Sequence, residues 1–85
     1  MAEEKVGEVF TYFSKVGVAG IKLTDGSLTV GDKIHIKGAT TDFEMKADSI
    51  QIDRKPVETA GKGSSVGIKV PDKVRGGDVV YRVSD

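Results

Sequence analysis

The sequence predicts an all-β fold, six strands closed into one barrel. Three observations predict it. Apolar and polar residues alternate with period two nearly throughout the 85 residues. The alternating runs are short and bounded by turn signals such as Asp25-Gly26, Gly31-Asp32 and Gly76-Gly77. No run of helical length carries the i, i+3, i+4 apolar pattern. Closure is expected because a small open sheet leaves edge strands that must be blunted.

The first strand is expected over residues 6–13 (VGEVFTYF), with Val9, Thr11 and Phe13 on one face and Glu8, Phe10 and Tyr12 on the other. Apolar groups on both faces point to a strand covered on both sides at one end, or to an outer face that meets a partner. A turn at Val16-Gly17 leads to a second strand over 17–23, whose two glycines allow a bulge or a close backbone approach. After Asp25-Gly26 come Leu28 and Val30, then a positive-φ turn at Gly31-Asp32. Residues 33–37 (KIHIK) put Ile34 and Ile36 inward and Lys33, His35 and Lys37 outward.

Over 42–52 the phase slips. Phe43, Met45 and Ala47 are odd, Ile50 and Ile52 even, which a β-bulge near Asp48-Ser49 would repair. Residues 53–63 read as a polar loop. Val66, Ile68 and Val70 share a face of the next strand, and Gly67 between them marks another close approach. The last strand, 78–83, is expected to turn Val79, Tyr81 and Val83 inward, with Asp78 accepting hydrogen bonds from turn amides. Residues 1–5 and 84–85 are expected to be tails around one domain over 6–83.

Composition narrows the function classes. Thirteen basic and thirteen acidic residues cancel, so the whole chain lacks the charge of a strong nucleic-acid binder. Residues 53–75 hold six basic side chains against three acidic ones, a local excess of three. There is no Cys to form a disulfide or a thiolate metal site. The absence of Cys, a start without a cationic or apolar leader, and no transmembrane-length run point to the cytoplasm and to no membrane partner. No Asn, one Gln and ten Lys follow the compositional trend of thermophile proteins, which predicts high thermal stability.

Four stretches, in order, resemble the second domain of elongation factor Tu and other translational GTPases. They are Gly26-Ser-Leu28-Thr-Val30-Gly31-Asp32-Lys-Ile34-His-Ile36-Lys-Gly38, Ser49-Ile50-Gln51-Ile52, Ala60-Gly61 with Val66-Gly67-Ile68, and Val74-Arg75-Gly76-Gly77-Asp78-Val79-Val80. The resemblance covers nearly the whole chain. It implies a Greek-key barrel of the translation-factor type and a non-catalytic module that contacts tRNA or ribosomal RNA. In tRNA-delivering members a Glu lies against the terminal adenosine; Gln51 stands at the matching position, without the charge. The following loop, with Arg54 and Lys55, resembles the family's basic loop in a shorter form. Gln51, Arg54, Lys55 and Lys62 are therefore the candidate RNA- or partner-binding residues.

No catalytic, cofactor or metal site is expected. Ala60-Gly61-Lys62-Gly63 fails as a phosphate loop, because Pro56 stands where the first Gly belongs and Gly63 where Ser or Thr must follow the Lys. GTP binding is therefore not expected. His35 is the single histidine and alternates outward, as a solvated strand residue does. The second function class is a monomeric protein-interaction barrel that docks on a separate enzyme or factor through outward Phe10 and Tyr12. Barrels of similar outline also occur appended to collagenase-like peptidases.

Overall fold

The computed structural model describes residues 2–84. Ten strands and no helix form in them: β1 (Ala2–Phe13), β2 (Val18–Lys22), β3 (Leu28–Thr29), β4 (Lys33–Lys37), β5 (Asp42–Lys46), β6 (Ile50–Ile52), β7 (Lys55–Val57), β8 (Thr59–Ala60), β9 (Ser65–Lys69) and β10 (Val79–Ser84). The fold is all-β. Eight strands form one antiparallel sheet in the order β5-β4-β10-β1-β2-β9-β6-β7, and β3 pairs with β8 in a separate ladder.

The expected six-stranded closed barrel is corrected on both counts. Strands β5 and β7 stand at opposite ends of the sheet, and no ladder joins them. The sheet nevertheless curls, because residues 47–49 lead directly from β5 at one end to β6 beside the other. Four peptide steps bridge at most about 14 Å. The turn after β3 lies between the two ends. The Val30 amide donates to the Glu58 carbonyl just past β7 at 2.7 Å, and the Gly31 amide to the Ala47 carbonyl just past β5 at 2.9 Å. These bonds satisfy backbone groups that closure would have paired.

The core inside this curl is aliphatic. Ile21, Leu23, Leu28, Ile34, Ile36, Ile50 and Ile68 have no more than a trace of exposed surface. Each such side chain contributes about 1.5–3 kcal/mol by leaving water. Tyr12, Phe43 and Met45 pack only at its margin.

Several local readings hold. Gly31 adopts φ +99°, and the Asp32 carboxylate accepts the Thr29 amide at 2.9 Å. Buried Asp78 accepts the Arg75 amide at 3.0 Å. A Cβ on Gly67 would lie 3.2 Å from Val18 Cγ1, the close approach expected there.

Others change. Strand β1 starts at Ala2, and residues 2–5, expected as a tail, pair with 81–84. The phase slip over 42–52 marks two separate strands rather than a bulge in one. The loop 53–63 contains β7 and β8. In β10 the inward set changes: Val80, paired with core residue Ile36, is fully buried, and Val79 and Tyr81 lie half-buried on the face of Lys37 and His35, while Val83, opposite Lys33, is buried as expected.

Candidate functional site

Gly20 of β2 pairs with Gly67 of β9, and Gly67 also pairs with Gln51 of β6. The flanking residues Ala19, Ile21, Val66 and Ile68 are core, so alternation puts both glycines on the outer face. Two adjacent positions without side chains leave a hollow there.

Phe10 forms one wall of it. Val9 pairs with Ile21 and Thr11 with Gly20, so Phe10 is the extra residue of a bulge in β1. Its ring lies over the bare backbone of Gly20, where a Cβ would meet Phe10 Cζ at 3.0 Å. The bulge also sends Phe13 outward. Phe10, Phe13 and Val16 are 55%, 53% and 61% exposed, and with Val18 they line an open groove of about 790 Å³.

The far end is polar, formed by Gln51, Asp53 and Arg54. Asp53 and Arg54 have φ of +51° and +65° and close the two-residue hairpin in which Ile52 pairs with Lys55. This is the type I′ pattern, usually filled by Asn-Gly or Asp-Gly. A side chain as long as arginine in that conformation costs on the order of 1–2 kcal/mol.

The neutral chain is charged unevenly. Lys15 and Arg54 line the groove, and the register puts Lys22 opposite Ser65 and Lys69 opposite Val18 on the same face. Asp53 is the acid in the lining; Glu8, opposite Lys22, is held by Lys5 at 3.3 Å. The groove therefore has a basic rim.

Acids gather instead around His35 on the outer face of β4. Nδ1 lies 2.7 Å from Glu3 and Nε2 2.5 Å from Asp42, leaving the side chain only 13% exposed. The expectation of a solvated histidine is thereby corrected; Tyr81 packs beside the ring at 6.2 Å between centroids. The hydrogen bond to Asp42 chiefly raises the His35 pKa, with Glu3 adding and burial opposing. One donor atom each of Glu3, His35 and Glu44 lies within 4.8 Å of the others. Lys33 already holds Glu44 at 3.1 Å, and both ring nitrogens of His35 face carboxylates, so these donor atoms already have partners within the cluster.

Of the sequence-predicted site residues, Phe10, Gln51 and Arg54 come together in the groove. Tyr12 does not: the bulge turns it toward the core margin, half-buried. Lys55 is exposed on β7 and Lys62 in the loop between β8 and β9, and neither lines the groove. Sequence reasoning missed Phe13, Lys15, Val16 and Val18. The paired glycines were the available signal for the hollow, but the bulge that opens it depends on the register with β2.

No family model matches the chain. It is 41% identical over 78 residues to a collagenase of Porphyromonas gingivalis, covering 91% of this chain and 22% of that protein. It is 43% identical over 82 residues to an uncharacterised protease of Methanocaldococcus jannaschii, covering 95% of this chain and 20% of that one. These relatives are proteases by name. The chain spans about a fifth of their length. Its fold matches a crystal structure of the C-terminal domain of a Geobacillus thermoleovorans protein described as a U32 peptidase. The TM-score is 0.86 at 18% identity, over 95% of this chain and 93% of that domain.

These findings correct four expectations. The resemblance to elongation factor Tu is overturned, and with it the translation-factor and RNA-binding reading, because the similar proteins are a collagenase and a protease. The expectation that the chain belongs to no enzyme is overturned by the same names, although it spans only about a fifth of those proteins, and the expected alternative, a barrel that docks on a separate enzyme, fits them better. Shared turn motifs such as Gly31-Asp32 encode barrel-like strand geometry, which is common to unrelated functions.

Among the described residues no helix is long and apolar enough to cross a membrane.

Proposed function

We propose that this chain is the docking part of a peptidase system, a β-domain that seats on a peptidase of the kind its relatives are named for. The observation that carries the reading is the groove itself: Phe10, Phe13 and Val16 are more than half exposed side by side. Burying such apolar surface against a partner is favourable by roughly 25 cal/mol per Å² before the costs of association. Contiguous exposed aromatic surface is the usual mark of a protein contact. The names of the relatives supply the partner class, and the fold match to a peptidase C-terminal domain agrees with it.

The test uses the relative named a protease, truncated to remove the segment that this chain matches. Calorimetric titration with the 85-residue chain is expected to give a saturable complex. Absence of a complex at high micromolar concentrations of both would contradict the proposal.

A further inference from the structure

Resting on that docking reading, we infer that the groove takes an extended, acidic peptide segment of the partner, with an apolar side chain against Phe10. The floor runs across the strands, from Phe10 on β1 over Gly20 and Gly67 to Gln51 on β6. Three inter-strand spacings make it about 14 Å long, the length of about four extended residues. Gly20 is covered by the Phe10 ring, but Gly67, half-buried with only Val18 Cγ1 near its missing side chain, lets a backbone approach the sheet closely. Phe10, Phe13 and Val18 offer apolar surface at one end for a side chain of the incoming segment. At the other end Gln51 has an amide that both donates and accepts, which suits a peptide backbone.

Charge selects the segment. Lys15 and Arg54 line the groove and Lys22 and Lys69 share its face, against Asp53 and the Lys5-paired Glu8. An acidic segment complements that rim and a basic one is repelled. Arg54 is the main reader of charge: the strained hairpin turn fixes its backbone at the groove mouth. Strained non-glycine turns recur at ligand clamps. A nucleic acid would also answer the charge and could stack on the two Phe rings, but Val16, Val18 and Val66 in the lining give bases no stacking face and suit an apolar side chain.

The test is fluorescence anisotropy with a labelled hexapeptide alternating Asp and Phe, the same peptide with Lys for Asp, and an unlabelled single-stranded RNA oligomer as competitor. The acidic peptide is expected to bind, more weakly as salt rises, and the lysine peptide not to bind. Phe10→Ser and Arg54→Gln are each expected to weaken the acidic peptide about tenfold, the effect of losing a buried apolar contact or a charged hydrogen bond. Equal binding of the two peptides, full displacement by RNA, or indifference to Arg54→Gln would overturn the inference. If the acidic peptide does not bind while the chain still docks on the truncated peptidase, the inference falls and the docking reading stands.

Discussion

The ring of Phe10 rests on Gly20, in the place a side chain would occupy. An added Cβ would meet Phe10 Cζ at 3.0 Å and Thr11 Cγ2 at 2.6 Å. Thr11 is β-branched and sits in the directly paired strand, so it has little room to give. Gly20→Ala is expected to cost about 1–3 kcal/mol, the range for overpacking, read as a lower denaturant midpoint at unchanged slope. Gly67→Ala meets only Val18 Cγ1 at 3.2 Å and is expected to cost less. Equal losses at the two positions would contradict this picture of the floor.

Asp78 secures the entry to β10. Its carboxylate accepts the Arg75 amide at 3.0 Å, and it is 5% exposed. Asp78→Ala leaves that amide without its acceptor, and the expected loss is about 1–3 kcal/mol. Gly38→Ala is expected to destabilise as well, because a Cβ there would collide with Asp78 Oδ1. Thermal denaturation of both variants checks the pair. A loss in the double variant equal to the sum of the single losses would show that the two positions do not act on each other.

Arg54→Gly separates stability from binding. The substitution relieves a positive φ of +65°. It is expected to stabilise the fold by about 0.5–1 kcal/mol, after the greater chain entropy of unfolded glycine is counted. It also removes the groove's guanidinium, so the acidic peptide should bind less tightly to a more stable protein. Denaturant unfolding and anisotropy on the same preparation read both effects. Lower stability in this variant would mean that the Arg54 side chain makes contacts that outweigh its backbone strain.

The His35 cluster gives a pH dependence whose sign follows from its geometry. The Asp42 hydrogen bond chiefly holds His35 above its ordinary value of 6.5, and Glu3 adds to it. That stabilisation is fully present below the unfolded-state pKa and is lost as pH rises through the raised folded value. The same bond, helped by Lys37, lowers the Asp42 pKa from 3.8, so its share is lost only as pH falls through the depressed value. Lys5, Lys33, Glu44 and Tyr81 also face the ring from β1, β4, β5 and β10 by register. The difference in melting temperature between the native chain and His35→Gln should be large near pH 6 and shrink by pH 9. A difference constant across that interval would refute the linkage.

The strand content was legible because each short run carries its own alternation and turn chemistry. Ile34 and Ile36, Gly31 with Asp32, and Asp78 behave as their local sequence dictates. The errors about which face a residue occupies share one cause, which is register. Phe13 and Tyr12 exchange faces because β1 bulges at Phe10, and that bulge is defined by which residue of β2 stands opposite. The inward face of β10 was misassigned for the same reason: both of its faces carry valines, and only the pairing with Ile36 decides between them. His35 looked solvated because its carboxylate partners come from β1 and β5, 32 residues before it and seven after. Only part of the groove was visible, in Phe10, Gln51 and Arg54. The family assignment failed because turn and strand motifs specify backbone geometry and leave the outer face, where a partner is chosen, almost unconstrained.

The central claim is that the outer-face groove is what meets the peptidase. Amide hydrogen exchange of the 85-residue chain, alone and with the truncated relative, tests it directly. The account predicts slowed exchange at loop and bulge amides around Phe10, Lys15, Val16, Asp53 and Arg54, with no change around His35 and Asp42. Protection centred on His35 and β5, or none in a chain that still forms the complex, would contradict it.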